Sequence, residues 1–282
     1  ATISKKNNRY YVSISFDDNM PTPKPVIAQS SIGLDVGINS LVATSKDVKI
    51  ANPRYTKKYA RMLKLASRHL DRKQHSKKKG DTTPKSKRYL KQQLKVARIH
   101  EKIANLRSDY IHKITNEITN QYDVICIEDL NVKGMIKNHK LSKHIADVAW
   151  GELRRQLEYK SERKGKILIK VDRWLPSSQT CSSCLSSTGK KPLNIRTFTC
   201  PVCGVTHDRD NNAAKVIEYY GLLQFYELGL QHNLSAGTVD YTRGGPSGGD
   251  GDSIPIVAPS SHGSVKREAH TYKVRVVHAI VS

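Results

Sequence analysis

A chain of 282 residues is long enough for one large domain or two smaller ones, and its 48 Lys and Arg outweigh 25 Asp and Glu to give a formal net charge of +23. A surplus of that size calls for a polyanionic partner, most commonly nucleic acid, and the clustering of the charge argues against a merely soluble basic protein. No run of about 18 apolar residues is present, so no membrane partner is expected, and the opening ATISKKNNRYYVSISFDD has no apolar signal core.

The first predicted element is a strand over 9–16, where Val12, Ile14 and Phe16 alternate with Tyr11, Ser13 and Ser15. It enters mid-fold without an initiator Met, so the chain reads as the later part of a longer protein. After the Pro-rich NMPTPKPVIAQ, the segment SSIGLDVGINSLVATS predicts a hairpin, with strands near 31–37 and 40–45 turning around Gly37, Ile38 and Asn39. DVKIANP predicts a third strand ending at Pro53. Residues 54–107 hold 19 Lys or Arg and three acids, Asp71, Asp81 and Glu101, which is +16 of the total. Tyr59, Met62 or Leu63, Ala66 and Leu70 keep a helical spacing, Gly80 to Pro84 breaks it, and Val96, Ile99, Ile103, Leu106 and Tyr110 resume it. The reading is a helical hairpin with one apolar seam and a basic outer face, an insertion over 54–119. A face that merely kept the chain in solution would mix its signs.

DVICIEDL, residues 123–130, predicts a buried parallel strand. Residues 148–164 return to helical spacing through Val148, Leu153 and Leu157, KILIKVD (166–172) predicts another strand, and 211–228 a last helix. The Gly-, Ser- and Pro-rich composition after residue 230 cannot bury a core, so 231–282 is expected to be a disordered tail. Strands alternating with helices give an α/β class.

Two constellations carry chemistry. Cys181-x2-Cys184 and Cys200-x2-Cys203 stand fifteen residues apart. Each pair forms a knuckle aiming two sulfurs at one ion, and four thiolates close a tetrahedral structural zinc site with no position left for water. The fifth cysteine, Cys126, reads as a small core residue. The second constellation is acidic. Asp35 interrupts IGLDVG, Glu128 interrupts VICIEDL, and Asp210 opens the helix that follows the cysteines. A charged side chain in a buried strand is costly unless it faces a site. Three carboxylates at one point repel one another, and Mg2+ or Mn2+ removes that penalty with hard oxygen ligation. Taken singly, an N-cap for Asp210 or a strand-end ion pair for Asp35 or Glu128 would suffice.

From Gly33 to about Gly229 the chain resembles the TnpB family of transposon-encoded, RNA-guided nucleases, relatives of the type V CRISPR effectors. The resemblance rests on GLDVGINSLVATS, IEDLNVKGM, WGELRRQLEYKSERKG, VDRWLPSSQTCSSC, CPVCG and DRDNNAA, in that order and spacing. It implies an RNase H-like (RuvC-type) mixed sheet with an inserted zinc ribbon: a nuclease domain over 29–180, the ribbon over 181–206, and the last part of the nuclease domain over 207–230. It also implies Asp35, Glu128 and Asp210 as the catalytic acids holding Mg2+ or Mn2+, DNA and a guide RNA as partners, and a nucleoid-associated place in a prokaryotic cytoplasm. Asp210 is preferred over Asp208 because the family's last motif is Asp, any residue, Asn, Ala, Ala. Two departures stand out. Leu185 follows Cys184 where the family usually has Gly, and the family's β-barrel and helical recognition region are represented only by the strand at 9–16, so the resemblance implies that residues 1–28 are the remnant of an N-terminal β domain. The alternative reading is a non-cleaving nucleic-acid-binding homologue. A guide-free junction resolvase is disfavoured by the TnpB-like motifs.

The basic hairpin generates a first prediction. Affinity for DNA should fall steeply with salt, because counterion release drives the binding. Reversing charge at Lys77, Lys78, Lys79 and Arg88 should flatten the slope of log affinity against log salt; an unchanged slope would put the contact surface elsewhere.

Overall fold

The computed structural model describes residues 1–16, 21, 23, 28–73, 84–138, 142–192 and 194–227, and the backbone of 275–281. The chain divides into two units, Ala1–Pro21 with Val239–Ser282, and Thr22–Thr238.

In the first unit, β1 (Thr2–Lys6) and β2 (Arg9–Phe16) form an antiparallel hairpin in which Lys6 pairs with Arg9. The two residues between them, Asn7 and Asn8, both have positive φ, at 51° and 61°. Asn tolerates that region, and a two-residue turn with both φ positive matches the twist of the strands it joins. Strand β10 (Arg275–Val281) pairs antiparallel with the other edge of β2. The expectation of a structureless tail is therefore corrected at its end: RVVHAIV is a run rich in β-branched residues, which the Gly- and Ser-rich composition ahead of it had masked. Residues 228–274 lie outside the described residues.

The second unit holds a five-stranded sheet in the order β5-β4-β3-β6-β7, with β3 (Ser31–Val36), β4 (Ser40–Thr44), β5 (Lys49–Ala51), β6 (Val124–Glu128) and β7 (Ile167–Val171). Strands β3, β4 and β5 run antiparallel in sequence, and β3, β6 and β7 are parallel. The sheet is mixed, as expected. The hairpin turns through Gly37, whose N–H donates to the Leu41 carbonyl at 3.3 Å.

Helices cover both faces. On one, α2 (Lys87–Gln121) and α5 (Trp150–Arg163) bury Ile111, Ile114, Ile118, Leu153 and Leu157 against Ile32, Leu34, Ile125 and Ile127. On the other, α6 (Arg209–Glu227) buries Ile217 and Phe225 against Val124, Cys126, Ile169 and Val171. Cys126 is thus the core residue expected of it. Two short helices, α3 (Val132–Met135) and α4 (Ser142–Val148), precede α5, and Ala149 in the left-handed region (φ 56°) separates α4 from α5. The periodicity from Val148 onward hid that break.

The basic insertion is a helical pair, α1 (Tyr55–Asp71) against α2. Leu63 rather than Met62 turns inward: Met62 is 50% exposed. Ile103 is the one expected seam residue that is fully buried, while Val96, Ile99, Leu106 and Tyr110 are half-buried, as two helices alone cannot enclose a core. The Gly80–Asp81 break and Lys77, Lys78 and Lys79 lie outside the described residues.

Candidate active site

Side chains alternate across a strand, so every second residue of β3 and β6 meets the same helix. Ser31 donates from Oγ to Oε1 of Glu218 on α6 at 2.6 Å, and Gly33 lies against Ala214 and Glu218 of the same helix. On β6, Cys126 lies against Gly221 of α6. The next residues in these two series are Asp35 and Glu128. The parallel register pairs Leu34 with Ile127, so the two acids follow side by side at the carboxyl ends of adjacent strands, on the α6 face. Crevices outside such strand ends are where open α/β sheets bind ligands.

Asp210 approaches from the helix. It sits four residues before Ala214, about 6 Å along the axis, while Asp35 sits two residues beyond Gly33, about 6.6 Å along the strand. Since Gly33 touches Ala214, those steps bring Asp210 towards Asp35. The electrostatics agree. Packing around the Asp35 carboxyl, then the charges of Asp210 and Glu128, push its pKa from 3.8 up to about 8, against partial relief from Arg209 and Lys49. The residue still keeps some exposed surface. Burial pushes Glu128 from 4.5 up to about 7.

Asp208 has a different task. Its Oδ1 accepts from the backbone N–H groups of Asp210 and Asn211, both at 3.1 Å, which caps the first turn of α6. Burial raises its pKa, but a 2.7 Å bond from Lys49 and the two amide donors outweigh that and hold it below the usual value. With the cap supplied by Asp208, the Asp210 carboxylate is left to side chains alone, Arg196 at 3.6 Å and Lys49 at 3.8 Å. Neither cation carried a signal in the sequence.

The four cysteines of the two knuckles come together. Their sulfurs all lie within 4.8 Å of one another, the one such group of potential metal ligands among the described residues; the three carboxylates are not drawn in that tightly. A tetrahedron with Zn–S bonds of about 2.3 Å has edges of about 3.8 Å, and the sulfurs stand 3.7 Å (Cys181–Cys203) and 3.6 Å (Cys184–Cys200) apart. The knuckles are congruent. Leu185 N–H donates to the Cys181 carbonyl and Gly204 N–H to the Cys200 carbonyl, while Cys181 and Cys200 N–H donate to Ser186 and Val205. This turn forces a positive φ on the residue after the second cysteine: 73° at Gly204 and 60° at Leu185. Leu185 therefore adopts a left-handed geometry that Gly tolerates freely and Leu does not, at a cost of about 1–2 kcal/mol. Strands β8 (Thr197–Thr199) and β9 (Thr206–Asp208) pair antiparallel beside the second knuckle.

The thiol cluster is joined to the acids through Asn212, which is buried. Its Oδ1 accepts from Ser182 N–H at 2.8 Å and its Nδ2 donates to the Thr180 carbonyl at 2.7 Å, so the first knuckle is clasped to the helix two residues past Asp210. Sequence reading placed Asn212 in the DRDNNAA run but gave it no task.

Comparison with known proteins divides most of the chain between two family models. One, described as "Probable transposase", matches residues 11–139, and the other, "Cas12f1-like, TNB domain", matches 150–217. A Streptomyces pristinaespiralis protein named "Putative RNA-guided DNA endonuclease" is 40% identical over 222 residues, 78% of this chain and 52% of its own. An Escherichia coli K12 protein, "Putative RNA-guided DNA endonuclease InsQ", is 31% identical over 77% of this chain and 55% of its own. A mimivirus protein, "TnpB-like protein L79", is 31% identical over 50% of this chain and 28% of its own. The chain thus spans about half the length of the first two relatives. No helix of the described residues is long and apolar enough to cross a membrane.

The raised acids generate a pH prediction. Between 3.8 and about 8, folded chain binds more protons at Asp35 than unfolded chain does, so this carboxyl lowers stability progressively as pH rises through that window. Urea unfolding without added divalent ions, from about pH 6 to about pH 8, should show Asp35→Asn gaining stability over the parent, with a larger gain at the higher pH. A gain independent of pH would mean that Asp35 is not held in its protonated form.

Proposed function

Because the chain belongs to the TnpB family, we propose that it carries the nuclease part of a metal-dependent, RNA-guided DNA endonuclease of transposon origin, with an RNase H-like (RuvC-type) sheet. The observation that carries this reading is the gathering of Asp35, Glu128 and Asp210 on one face of the sheet, where the charges of the other two help to raise the proton affinity of Asp35. A group of acids that holds a proton for want of positive charge is a fitting set of hard oxygen donors for Mg2+ or Mn2+. Bound there, two such ions would ionise a water and stabilise the leaving oxygen at a scissile phosphate. Asp35 offers its carboxylate from the central strand, Glu128 from the neighbouring one and Asp210 from the helix start. Lys49 and Arg196, beside Asp208 and Asp210, supply positive charge for phosphate oxygens. Zinc in the thiol cluster would be structural, holding the first knuckle against α6 through Asn212. The partners in this reading are DNA, on the basic surface, and a guide RNA as in the names of the relatives, in a prokaryotic cytoplasm near the nucleoid.

Two measurements test it. Purified chain should contain about one zinc per molecule by elemental analysis; less than about half an equivalent, with the four thiols unmodified, would count against the site. Asp35→Asn, Glu128→Gln and Asp210→Asn should each lower Mg2+-dependent cleavage of single-stranded DNA by more than the ~10–100-fold typical of losing an outer-shell partner, with DNA affinity kept. Asp208→Asn should retain most activity, since Asn also caps a helix. The assay is run on this chain and on one joined to a family N-terminal region and guide. Loss with Asp208→Asn but not Asp210→Asn would reverse the assignment of the two aspartates. No cleavage by either protein, with zinc bound, would favour the non-cleaving binder.

A further inference from the structure

Of the two tryptophans in the chain, Trp150 is 5% exposed and Trp174 is 84% exposed, the most exposed of the large apolar side chains among the described residues. A single apolar residue on a surface is ordinary, so exposure by itself carries nothing. The way Trp174 is held does. Its backbone N–H donates to Asp172 Oδ1 at 2.7 Å, and Leu175 N–H donates to the Asp172 carbonyl at 3.1 Å, which fixes a tight turn. The neighbours on both sides are anchored: Arg173 donates to Asp129 Oδ2 at 2.9 Å, and Leu175 packs against the α6-side core. Between two tethered residues, on a fixed backbone, the one flat ring stands in water.

Its position matters as much. Strand β7 ends at Val171, which pairs with Glu128 and accepts from Asp129 N–H at 3.0 Å. Trp174 follows three residues later, at most about 11 Å of chain away, at the same carboxyl edge of the sheet as the acids. Arg173 and Arg154, both paired with Asp129, and Lys170, paired with Glu158, are the cations of this stretch and of the helix beside it, with side chains 42%, 37% and 44% exposed.

We propose that Trp174 is a stacking platform for one unpaired base of a single-stranded nucleic acid held at the carboxylate edge. Single strands are bound by combining cations that follow the backbone with aromatic faces that receive bases, and every base has a π face to offer. A duplex keeps its bases stacked on each other, so an exposed ring at this edge selects for an unpaired segment. This rests on the reading of that edge as the place where a nucleic-acid strand is held.

Tryptophan emission tests it directly, because the buried Trp150 serves as an internal reference. The full chain is titrated, without added divalent ions so that nothing is cut, with a thymidine oligonucleotide of about a dozen residues and with an abasic sugar-phosphate chain of equal length. The thymidine strand should quench the emission, and the abasic strand should bind with little quenching. Trp174→Phe should abolish the quenching while keeping most of the affinity. Trp174→Ala should weaken the thymidine complex about tenfold or more and leave the abasic complex unchanged. Removing an exposed side chain leaves the core intact, and an unchanged unfolding midpoint verifies this. Equal quenching by both strands, full affinity in Trp174→Ala, or quenching that persists in Trp174→Phe would each overturn the proposal. Since no cleavage is read, a chain that stacks but does not cut would refute only the nuclease assignment, and one that cuts without this signature only the platform.

Discussion

The carbonyl of Ala214 lies where a β-carbon on Gly33 would have to go, and the Cys126 side chain fills the place of one on Gly221. Helix α6 therefore rests on β3 at Gly33 with no strand side chain as a spacer, and on β6 at Gly221 with only the small Cys126 side chain between them. Any larger residue at Gly33 would meet backbone, which cannot rotate away as a flexible side chain can. This contact fixes where the first turn of α6 stands relative to the end of β3. It brings together three acids scattered over 176 positions of sequence, from Asp35 to Asp210, so that Asp35 feels the charge of the other two. Ala214, itself buried, belongs to the same contact: a small residue on the helix meets a missing side chain on the strand.

A helix seated so closely still needs its start held in place. The thiol cluster does this from outside the sheet. Asn212 exchanges two hydrogen bonds with the backbone at Thr180 and Ser182, immediately before and after Cys181. Buried amides of this kind are costly to leave unpaired, so the knuckle and the helix turn are set together. On the proposed reading the zinc ribbon is less a separate module than a brace for the start of α6. Asp208 completes the arrangement by capping the helix, so that the carboxylate two residues on is not consumed as a cap.

Much of this was legible from period and punctuation. The β3–β4 hairpin, the apolar β6 and β7, the basic helical pair and α6 emerge at their places because alternation, continuous apolar runs and 3.6-residue spacing each reflect a burial pattern. The cysteine spacing announced the cluster because two intervening residues fix a knuckle. What was not legible lacks such a local cause. Asn7 and Asn8 are a turn signal, but β1 beside them exposes every residue and so shows no burial pattern. The break at Ala149 is made by one left-handed residue that any composition rule assigns to helix. Lys49, Arg196 and Asn212 acquire their partners only through strands and turns far away in sequence, so no window around them holds the information. Strand β10 was lost to averaging over a Gly-rich stretch.

A chain of net charge +23 would be expected to depress the pKa of its carboxylates, yet Asp35 moves the other way. Distance and access explain the contrast. Lys49 reaches Asp208 at 2.7 Å and Asp210 at 3.8 Å, at the more open side of the group. The Asp35 carboxyl is packed round by the sheet and α6, and Lys49 and Arg209 act on it only as weaker charges that fail to cancel the effect of burial and of the two other acids. A lysine or arginine head brings one charge on a bulky, hydrated stem, which is suited to the rim. On the proposed reading, a small divalent ion would bring two charges at once and accept several carboxylate oxygens. The basic surface and the acidic centre then cease to be in conflict. On that reading, the long cations would draw a polyanion to the rim, and the deficit of positive charge at Asp35 would be met by an ion from solution.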